Sequence, residues 1–219
     1  MPDIALSFDN GPDAETTPEV LDILARREIP ALFCVLGERL ARPELRRVAE
    51  RAHGEGHWIA NHTYTHSVPL GRVEDPERVR REIDLTQELI GELAHPDRFF
   101  RPFGGGGNLD ERLLNEAAVE HLMEGGYTVV TWNVVPGDWR DPDGWVAVAL
   151  EQLRAEEHAL IVLHDLPTGA MRHLEAFLDA AEEQGARWVR ELPESCVPMV
   201  RGEVTGTLEG LVSDVGSRA

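Results

Sequence analysis

Lysine is absent from this chain, because all 21 of its basic residues are arginine. Without a lysine amine, Schiff-base chemistry and a lysine general base are excluded. Cysteine is scarce as well: only Cys34 and Cys196 occur in 219 residues, and nothing in their placement predicts a disulfide framework. Neither a long apolar run nor a secretory signal pattern is present, so we expect a cytoplasmic protein that does not span a membrane.

Positive charge is also in deficit. The formal net charge is −19 and the pI is near 4.8. A surface of this sign repels nucleic acid and anionic membranes, so neither is expected as a partner. A small-molecule or oligosaccharide substrate that is neutral or cationic fits the charge better, and the sequence leaves the oligomeric state open.

Apolar runs and helical patterns alternate along the chain. They predict strands over 3–8, 31–36, 58–61, 98–100, 127–132, 159–163 and near 187–190, with helices over 18–28, 43–53, 76–94, 109–124, 143–157 and 170–184. Seven such units without a glycine-rich phosphate loop favour a parallel α/β barrel over a nucleotide-binding sheet. We expect one barrel domain over 1–200 and a mobile tail over 201–219.

Four polar clusters stand at the ends of predicted strands. They are S-F-D-N-G-P at 7–12, N-H-T-Y-T-H at 61–66, G-D-W at 137–139 and V-L-H-D at 162–165. In a parallel barrel the carboxyl ends of the strands meet at one face, where catalytic groups collect. The clusters therefore predict a hydrolytic metal site at that face.

Two histidines carry the metal prediction. His62 and His66 are four residues apart, a spacing that places two side chains on one face of a helical turn, where they can share a divalent metal. Asp9 and Asn10 would by themselves indicate an ordinary turn. Beside the histidines, one of these two becomes the third ligand and the other is free to act as a base.

Three further residues suit an acid–base role. Arg101 follows a predicted strand and can hold a carboxylate ionised through its charge and its paired N–H groups. His164 closes another strand, and with Asp138 as its carboxylate partner it is a candidate general acid. The glycine run after Arg101 allows backbone amides to approach a ligand closely.

These motifs, in this order, resemble the polysaccharide deacetylase family, a carbohydrate esterase family defined by the NodB-homology domain. The family motifs T-F-D-D-G, H-[ST]-x-x-H, R-x-P-[YF], D-x-x-D-W and L-x-L-H stand here as S-F-D-N-G, H-T-Y-T-H, R-P-F-G, V-P-G-D-W and I-V-L-H. The resemblance covers 3–192, and five ordered motifs make it specific. It implies a distorted seven-stranded (β/α) barrel and a metal-dependent amide hydrolase.

The resemblance also implies a role for each residue. Asp9 would be the general base, steadied by Arg101, and His164 the general acid, oriented by Asp138. The metal positions are Asn10, His62 and His66, and the substrate-binding positions are Phe103, Gly104, Trp139 and Val162. Zn²⁺ is the first expectation, with Co²⁺, Mn²⁺ or Ni²⁺ as alternatives. Asn10 stands where the family usually has Asp, so we expect weak metal binding.

The expected function is metal-dependent hydrolysis of a non-peptide C–N bond, with an N-acetylated sugar or a related metabolite as substrate. One alternative is an allantoinase-like hydrolase of cyclic amides or imides, possible without metal. A lower-ranked alternative is an inactive carbohydrate-binding barrel. That alternative predicts loss of the acid or the base, whereas Asp9, Arg101, Asp138 and His164 are all present.

Overall fold

A computed structural model describes residues 2–216 of the chain. The strands are β1 (Asp3–Asp9), β2 (Ala31–Val35), β3 (Trp58–Asn61), β4 (Phe99–Phe100), β5 (Leu114–Asn115), β6 (Thr128–Val129), β7 (His158–His164), β8 (Arg187–Trp188), β9 (Met199–Val200), β10 (Glu203–Val204) and β11 (Val212–Ser213). The α-helices are α1 (Thr16–Arg27), α2 (Gly37–Leu40), α3 (Pro43–Gly54), α4 (Pro76–Ile90), α5 (Glu116–Glu124), α6 (Trp145–Leu153) and α7 (Leu174–Glu183). Short 3₁₀ turns cover Leu70–Arg72, Gly91–Leu93, Gly105–Gly107, Ala170–His173 and Glu194–Cys196.

The parallel strands lie in the order β6-β4-β3-β2-β1-β7, and β8 pairs with the start of β1. Beyond β6 the chain continues to Val134, which forms a parallel bridge with Ile161 of β7. This bridge links the two ends of the curled sheet, so that the six strands β6, β4, β3, β2, β1 and β7 form an irregular ring, and β8 is a seventh parallel strand beside the start of β1. The predicted fold class, a distorted seven-stranded (β/α) barrel, is confirmed.

Alternation along the strands separates the barrel interior from the helix-covered outside. Ile4, Leu6 and Phe8 of β1 belong to the large apolar cluster that includes residues of α1, α6 and α7. The intervening residue Ala5 belongs to a smaller cluster drawn from the other faces of the neighbouring strands. Because the side-chain period of a strand is two, the next inward positions of β1 are Ser7 and Asp9.

Helix α4 packs against β3, the strand that leads into the histidine motif. Asp75 caps its first turn by accepting the backbone N–H of Glu77 at 3.0 Å, and Pro76 occupies the first helical position. Val79, Ile83, Thr86 and Ile90 form its buried face, which is the expected helical stripe. Glu82 is also buried on this helix, at 8% exposure.

Several boundaries differ from prediction. The helix predicted over 109–124 begins at Glu116, because the Asn115 side chain accepts the Ala118 N–H at 2.9 Å and caps the helix there. Of the strand predicted over 127–132, only Thr128–Val129 is a regular strand, since the chain then crosses towards β7. Helices α6 and α7 are each shorter than predicted, and a 3₁₀ turn precedes α7.

The C-terminal segment packs on the barrel, which differs from the mobile tail expected over 201–219. β10 pairs with β9, and β11 pairs with β5. Leu208, Leu211 and Val212 pack against the apolar cluster under α4 and α5, and Ser213 donates a 2.6 Å hydrogen bond to the Gly71 carbonyl. The sequence around these few apolar residues is mostly polar and glycine-rich, which is why a mobile tail was predicted. Residues 217–219 lie outside the described range.

Within residues 2–216, no helix has both the length and the apolar character needed to cross a bilayer.

Candidate active site

The carboxyl ends of the barrel strands surround a cleft with a volume of about 300 Å³. Its lining includes nine of the residues singled out from the sequence: Asp9, Asn10, His62, His66, Phe103, Gly104, Trp139, Val162 and His164. Arg101 and Asp138 lie behind this lining, both with 0% exposure. The four polar clusters thus meet at one face, as the strand-end argument predicts.

Asp9 and His164 are direct neighbours across two strands. They are register partners at the ends of the parallel strands β1 and β7. Both side chains point into the same cleft. A carboxylate and an imidazole are therefore available side by side for proton transfer.

Arg101 is held in one orientation by four acceptors. Its Nη1 donates to Asp9 Oδ1 at 2.8 Å and to Ser7 Oγ at 2.7 Å. The other guanidinium nitrogens reach the backbone carbonyls of Val130 at 3.4 Å and Thr131 at 3.1 Å. A buried guanidinium with its donors satisfied acts as a fixed positive charge beside Asp9.

This charge sets the ionisation of Asp9. Burial is the largest single effect and acts to raise the pKa of Asp9, but the charges of Arg101, His62 and His164 together outweigh it, with Arg101 the largest of them, and the net pKa is lowered. Asp9 is therefore a carboxylate at neutral pH, the form that can accept a proton.

His62 is fixed in a single tautomer. Its Nδ1 lies 2.8 Å from the carbonyl oxygen of Arg101, which can only accept, so Nδ1 carries the proton. The Nε2 atom is then an unprotonated donor of a lone pair, and it lies 3.6 Å from Asp9 Oδ2. Burial lowers the pKa of His62, and the facing Asp9 offsets this only in part. A neutral imidazole oriented by a carbonyl is the form that binds metals.

His66 reaches the cleft by a route that differs from prediction. The segment after β3 is a non-helical loop in which Thr63 and His66 have positive φ values of 70° and 52°. The two imidazole centroids are nevertheless 5.0 Å apart, and the ring of His66 stacks on Phe103 at 3.7 Å. Burial, followed by the neighbouring His62, lowers the pKa of His66 to about 3, so this imidazole is neutral as well.

Asn10 lines the same cleft as the two histidines. It has a left-handed backbone (φ 71°), and its amide oxygen Oδ1 is buried without a hydrogen-bond partner in the described part of the chain. A buried polar oxygen without a partner is uncommon, and this one lies on a residue that lines the cleft, where it is available to a cation. No group of three His, Cys, Asp or Glu side chains placed to hold a metal occurs among residues 2–216, so a metal at the two histidines would need the Asn10 amide oxygen as well. Two neutral imidazoles and this oxygen fit a divalent metal.

His164 has its own carboxylate partner. Asp138 accepts the Nδ1–H of His164 at 2.9 Å with one oxygen and the backbone N–H of the same residue at 2.9 Å with the other. Burial acts to lower the pKa of His164, but the hydrogen bond and charge of Asp138 outweigh it, so the net pKa is raised. His164 is therefore biased towards the protonated form, and its Nε2 is free to donate.

Apolar and glycine residues complete the walls. Trp139 meets His164 edge to face at 4.8 Å, and Val162 lies two residues before it on β7. Phe103 and Gly104 form the opposite side, followed by Gly106 and Gly107. The Trp132 indole N–H donates to the Gly107 carbonyl at 2.9 Å, which ties this loop to the barrel.

Sequence reasoning assigned no role to three buried polar residues around the site, although two of them lie in the strand-end clusters. Ser7 bridges Arg101 and the Ile161 carbonyl, and the alternation with Asp9 along β1 was a usable signal. Asp165 accepts the Thr17 hydroxyl, and burial raises the pKa of Asp165 to about 6. Glu82 of α4 contacts the histidine loop at Tyr64 and Thr65, which are 18 and 17 residues before it, and no local pattern marked it.

Comparison with known proteins identifies the family. Residues 1–129 match the family model described as polysaccharide deacetylase. This chain belongs to the polysaccharide deacetylase family. The predicted resemblance and the predicted enzyme class, a hydrolase of non-peptide C–N bonds, are confirmed.

Named relatives in the family include two bacterial deacetylases. The chain is 32% identical over 195 residues to a peptidoglycan-N-acetylglucosamine deacetylase of Bacillus cereus, covering 85% of this chain and 66% of the relative. It is 37% identical over 173 residues to a chitooligosaccharide deacetylase of Rhizobium leguminosarum bv. phaseoli, covering 75% and 68%. The chain thus spans about two thirds of the length of these relatives.

A solved peptidoglycan N-acetylglucosamine deacetylase has the same fold. Its TM-score to this chain is 0.71 at 29% sequence identity, and the match covers 85% of each chain.

Proposed function

We propose that this chain removes the acetyl group from an N-acetylated sugar unit, releasing acetate and a free amine, with a divalent metal held by Asn10, His62 and His66. The observation that carries the proposal is the geometry at the cleft, where Asp9, ion-paired with Arg101, lies beside His164, which is hydrogen-bonded to Asp138. Amide hydrolysis needs one group that accepts a proton from water and one that donates a proton to the leaving nitrogen.

The base side of the cleft is Asp9. Arg101 keeps the carboxylate ionised, so Asp9 takes the proton from the attacking water. A divalent cation at the three donors would polarise the amide carbonyl and increase the acidity of water in the cleft. A backbone N–H at Phe103 or Gly104 supplies a second stabilising group for the developing oxyanion.

The acid side of the cleft is His164. Asp138 fixes the ring through Nδ1 and favours the imidazolium, so Nε2 delivers a proton to the departing nitrogen. Without that proton, the amine would be a poor leaving group and the tetrahedral species would return to the amide. The side-by-side register of Asp9 and His164 at the ends of β1 and β7 supports this assignment, because both side chains could reach one amide group.

The walls favour a small acyl group on a neutral sugar. Trp139 and Val162 line the cleft, and in this proposal they bound the region where an acetyl methyl would sit. The relatives are named for chitooligosaccharide and peptidoglycan N-acetylglucosamine substrates, so an N-acetylglucosamine-containing oligosaccharide is the first substrate to test. Zn²⁺ as the metal and a cytoplasmic location stay predictions.

Acetate release is the direct test. Purified chain is incubated with N-acetylglucosamine oligomers after metal removal by chelator and again after readdition of Zn²⁺, Co²⁺, Mn²⁺ or Ni²⁺. We expect metal-dependent acetate release. Turnover of a cyclic imide or amide by the metal-free protein, without acetate release, would instead support the allantoinase-like alternative. An absence of turnover on every substrate with metal bound would favour the carbohydrate-binding alternative.

A further inference from the structure

Glu82 is a buried acidic residue outside the cleft, on helix α4. Its side chain is 8% exposed and makes three hydrogen bonds, all to the loop that carries the two histidines. Oε2 accepts the backbone N–H groups of Tyr64 at 3.0 Å and Thr65 at 2.8 Å, and Oε1 accepts the Thr65 hydroxyl at 2.7 Å. One carboxylate thus occupies the donors in the middle of H-T-Y-T-H.

This loop needs partners from outside itself. Thr63 and His66 both have positive φ, a conformation that is unfavourable for residues other than glycine and persists only where the surroundings enforce it. Successive N–H groups in such a backbone point to one side and form a concave anion-binding nest. The Glu82 carboxylate is the anion that fills the nest.

Three other backbone groups of the loop also have partners. The Thr63 N–H donates to the Asn61 side chain at 3.0 Å, and the carbonyls of Thr63 and Tyr64 accept the N–H groups of Gly37 and Glu38 at 3.0 Å each. Helix α2 therefore holds the carbonyl side of the loop and Glu82 holds the N–H side. Only the Glu82 contact involves a full charge, so it is the strongest of these hydrogen bonds.

We propose that Glu82 is a positioning residue that sets His62 and His66 in the arrangement that binds the metal. The proposal rests on the metal ligands assigned under the proposed function. Glu82 touches neither imidazole, and its effect passes through the backbone of Tyr64 and Thr65. Outer groups that orient metal ligands contribute about 10–100-fold to metal affinity when removed by mutation.

Two substitutions separate charge from hydrogen bonding. Glu82→Gln keeps a carbonyl oxygen for the Tyr64 and Thr65 N–H groups but loses the charge. Glu82→Ala removes every acceptor and leaves the N–H groups buried without partners. The control is Glu88→Gln, which alters an exposed carboxylate on the same helix. The three variants and the wild type are compared by Zn²⁺ competition titration, the visible spectrum of the Co²⁺-loaded protein and thermal unfolding of the metal-free protein.

We expect metal affinity to fall by about 10–100-fold in Glu82→Ala and by a smaller factor in Glu82→Gln, with Glu88→Gln at the wild-type value. The Co²⁺ spectrum should change in Glu82→Ala, which a purely structural loss of stability would not produce. If Glu82→Ala does not fold, the fall in Glu82→Gln decides alone. Wild-type affinity and spectrum in the folded Glu82 variants would overturn the positioning role and leave the proposed deacetylase intact. A wild-type chain that binds no metal would overturn both.

Discussion

Arg101 Nη1 lies 2.8 Å from Asp9 Oδ1, and both side chains are buried at the end of β1. The two residues are 92 positions apart, so only the closed barrel brings them together. A buried guanidinium that loses its carboxylate, or the reverse, is left as an uncompensated charge. The pair therefore supports the fold as well as the base.

The first prediction is that Arg101→Gln destabilises the protein by about 3–5 kcal/mol in urea unfolding, because Asp9 then keeps a buried charge without its partner. The matched control is Arg187→Gln, which breaks the exposed ion pair with Asp3 and should cost about 0–1 kcal/mol. The difference in unfolding free energy between Arg101→Gln and the wild type should be largest at pH values above the pKa of Asp9 in the unfolded chain. Because the folded pKa of Asp9 is lowered, its stabilising contribution is lost as pH falls through that value, and the difference should shrink there. Equal midpoints for both variants would contradict this account.

The second prediction concerns a close approach between two loops at the cleft. A Cβ at Gly11 would lie 2.3 and 2.4 Å from the carboxylate oxygens of Asp165, which is buried and cannot move freely. We expect Gly11→Ala to destabilise the protein by about 1–3 kcal/mol. Gly54→Ala, at the end of α3, meets no atom within 4 Å and should be neutral or stabilising by up to about 1 kcal/mol. The unfolding free energy of both variants is measured by chemical denaturation. An unchanged stability in Gly11→Ala would contradict the prediction and show that the Asp165 side chain can move away from the new methyl group.

The strand-end argument predicted which side chains would meet, but not how each one arrives. Asp9 and His164 follow apolar runs long enough to be recognised as strands, and parallel strands end at one face, so their meeting was predictable. The His62–His66 spacing predicted proximity from helix geometry, whereas the observed loop has positive φ at His66. The two histidines do lie close together, as predicted, but the backbone between them is a tight loop and not a helical turn.

Residues that act across the fold were invisible in the sequence. Glu82 lies in a helix rich in charged residues, most of them solvated, and nothing local distinguishes the one that faces a loop. The start of α5 was misplaced because the capping role of Asn115 depends on its pairing with β11, a distant segment. Long-range contacts of this kind decide element ends more than propensity does.

The third prediction concerns the amide ligand. Asn10→Asp should bind Zn²⁺ more tightly than the wild type, because an anionic oxygen replaces a neutral one at the buried, unpartnered position. The two proteins are titrated side by side with a chelator, with metal content measured after each step. If the wild type retains metal as strongly as the Asp variant, either Asn10 is not a ligand or a negative charge at position 10 does not affect metal affinity.

The last prediction concerns the acid–base pair and decides whether the cleft is catalytic. Asp9 must be ionised to accept a proton. Because its pKa is lowered, the rate should fall only at acid pH, where Asp9 becomes protonated. His164 must be protonated to donate a proton. Because its pKa is raised above the ordinary histidine value of 6.5, the rate should fall on the alkaline side of the profile, at a pH above that value.

The profile of kcat at saturating metal should therefore be bell-shaped, and Asp138→Asn should move the alkaline limb to lower pH because it removes the charge that favours the imidazolium. Asp9→Asn and His164→Ala should each lower kcat by about 10²–10⁴-fold. Circular dichroism and metal titration of the same samples separate loss of chemistry from loss of fold or of metal. Turnover that survives intact in either variant would remove that residue from the mechanism, and survival in both would refute the proposed reaction at this cleft.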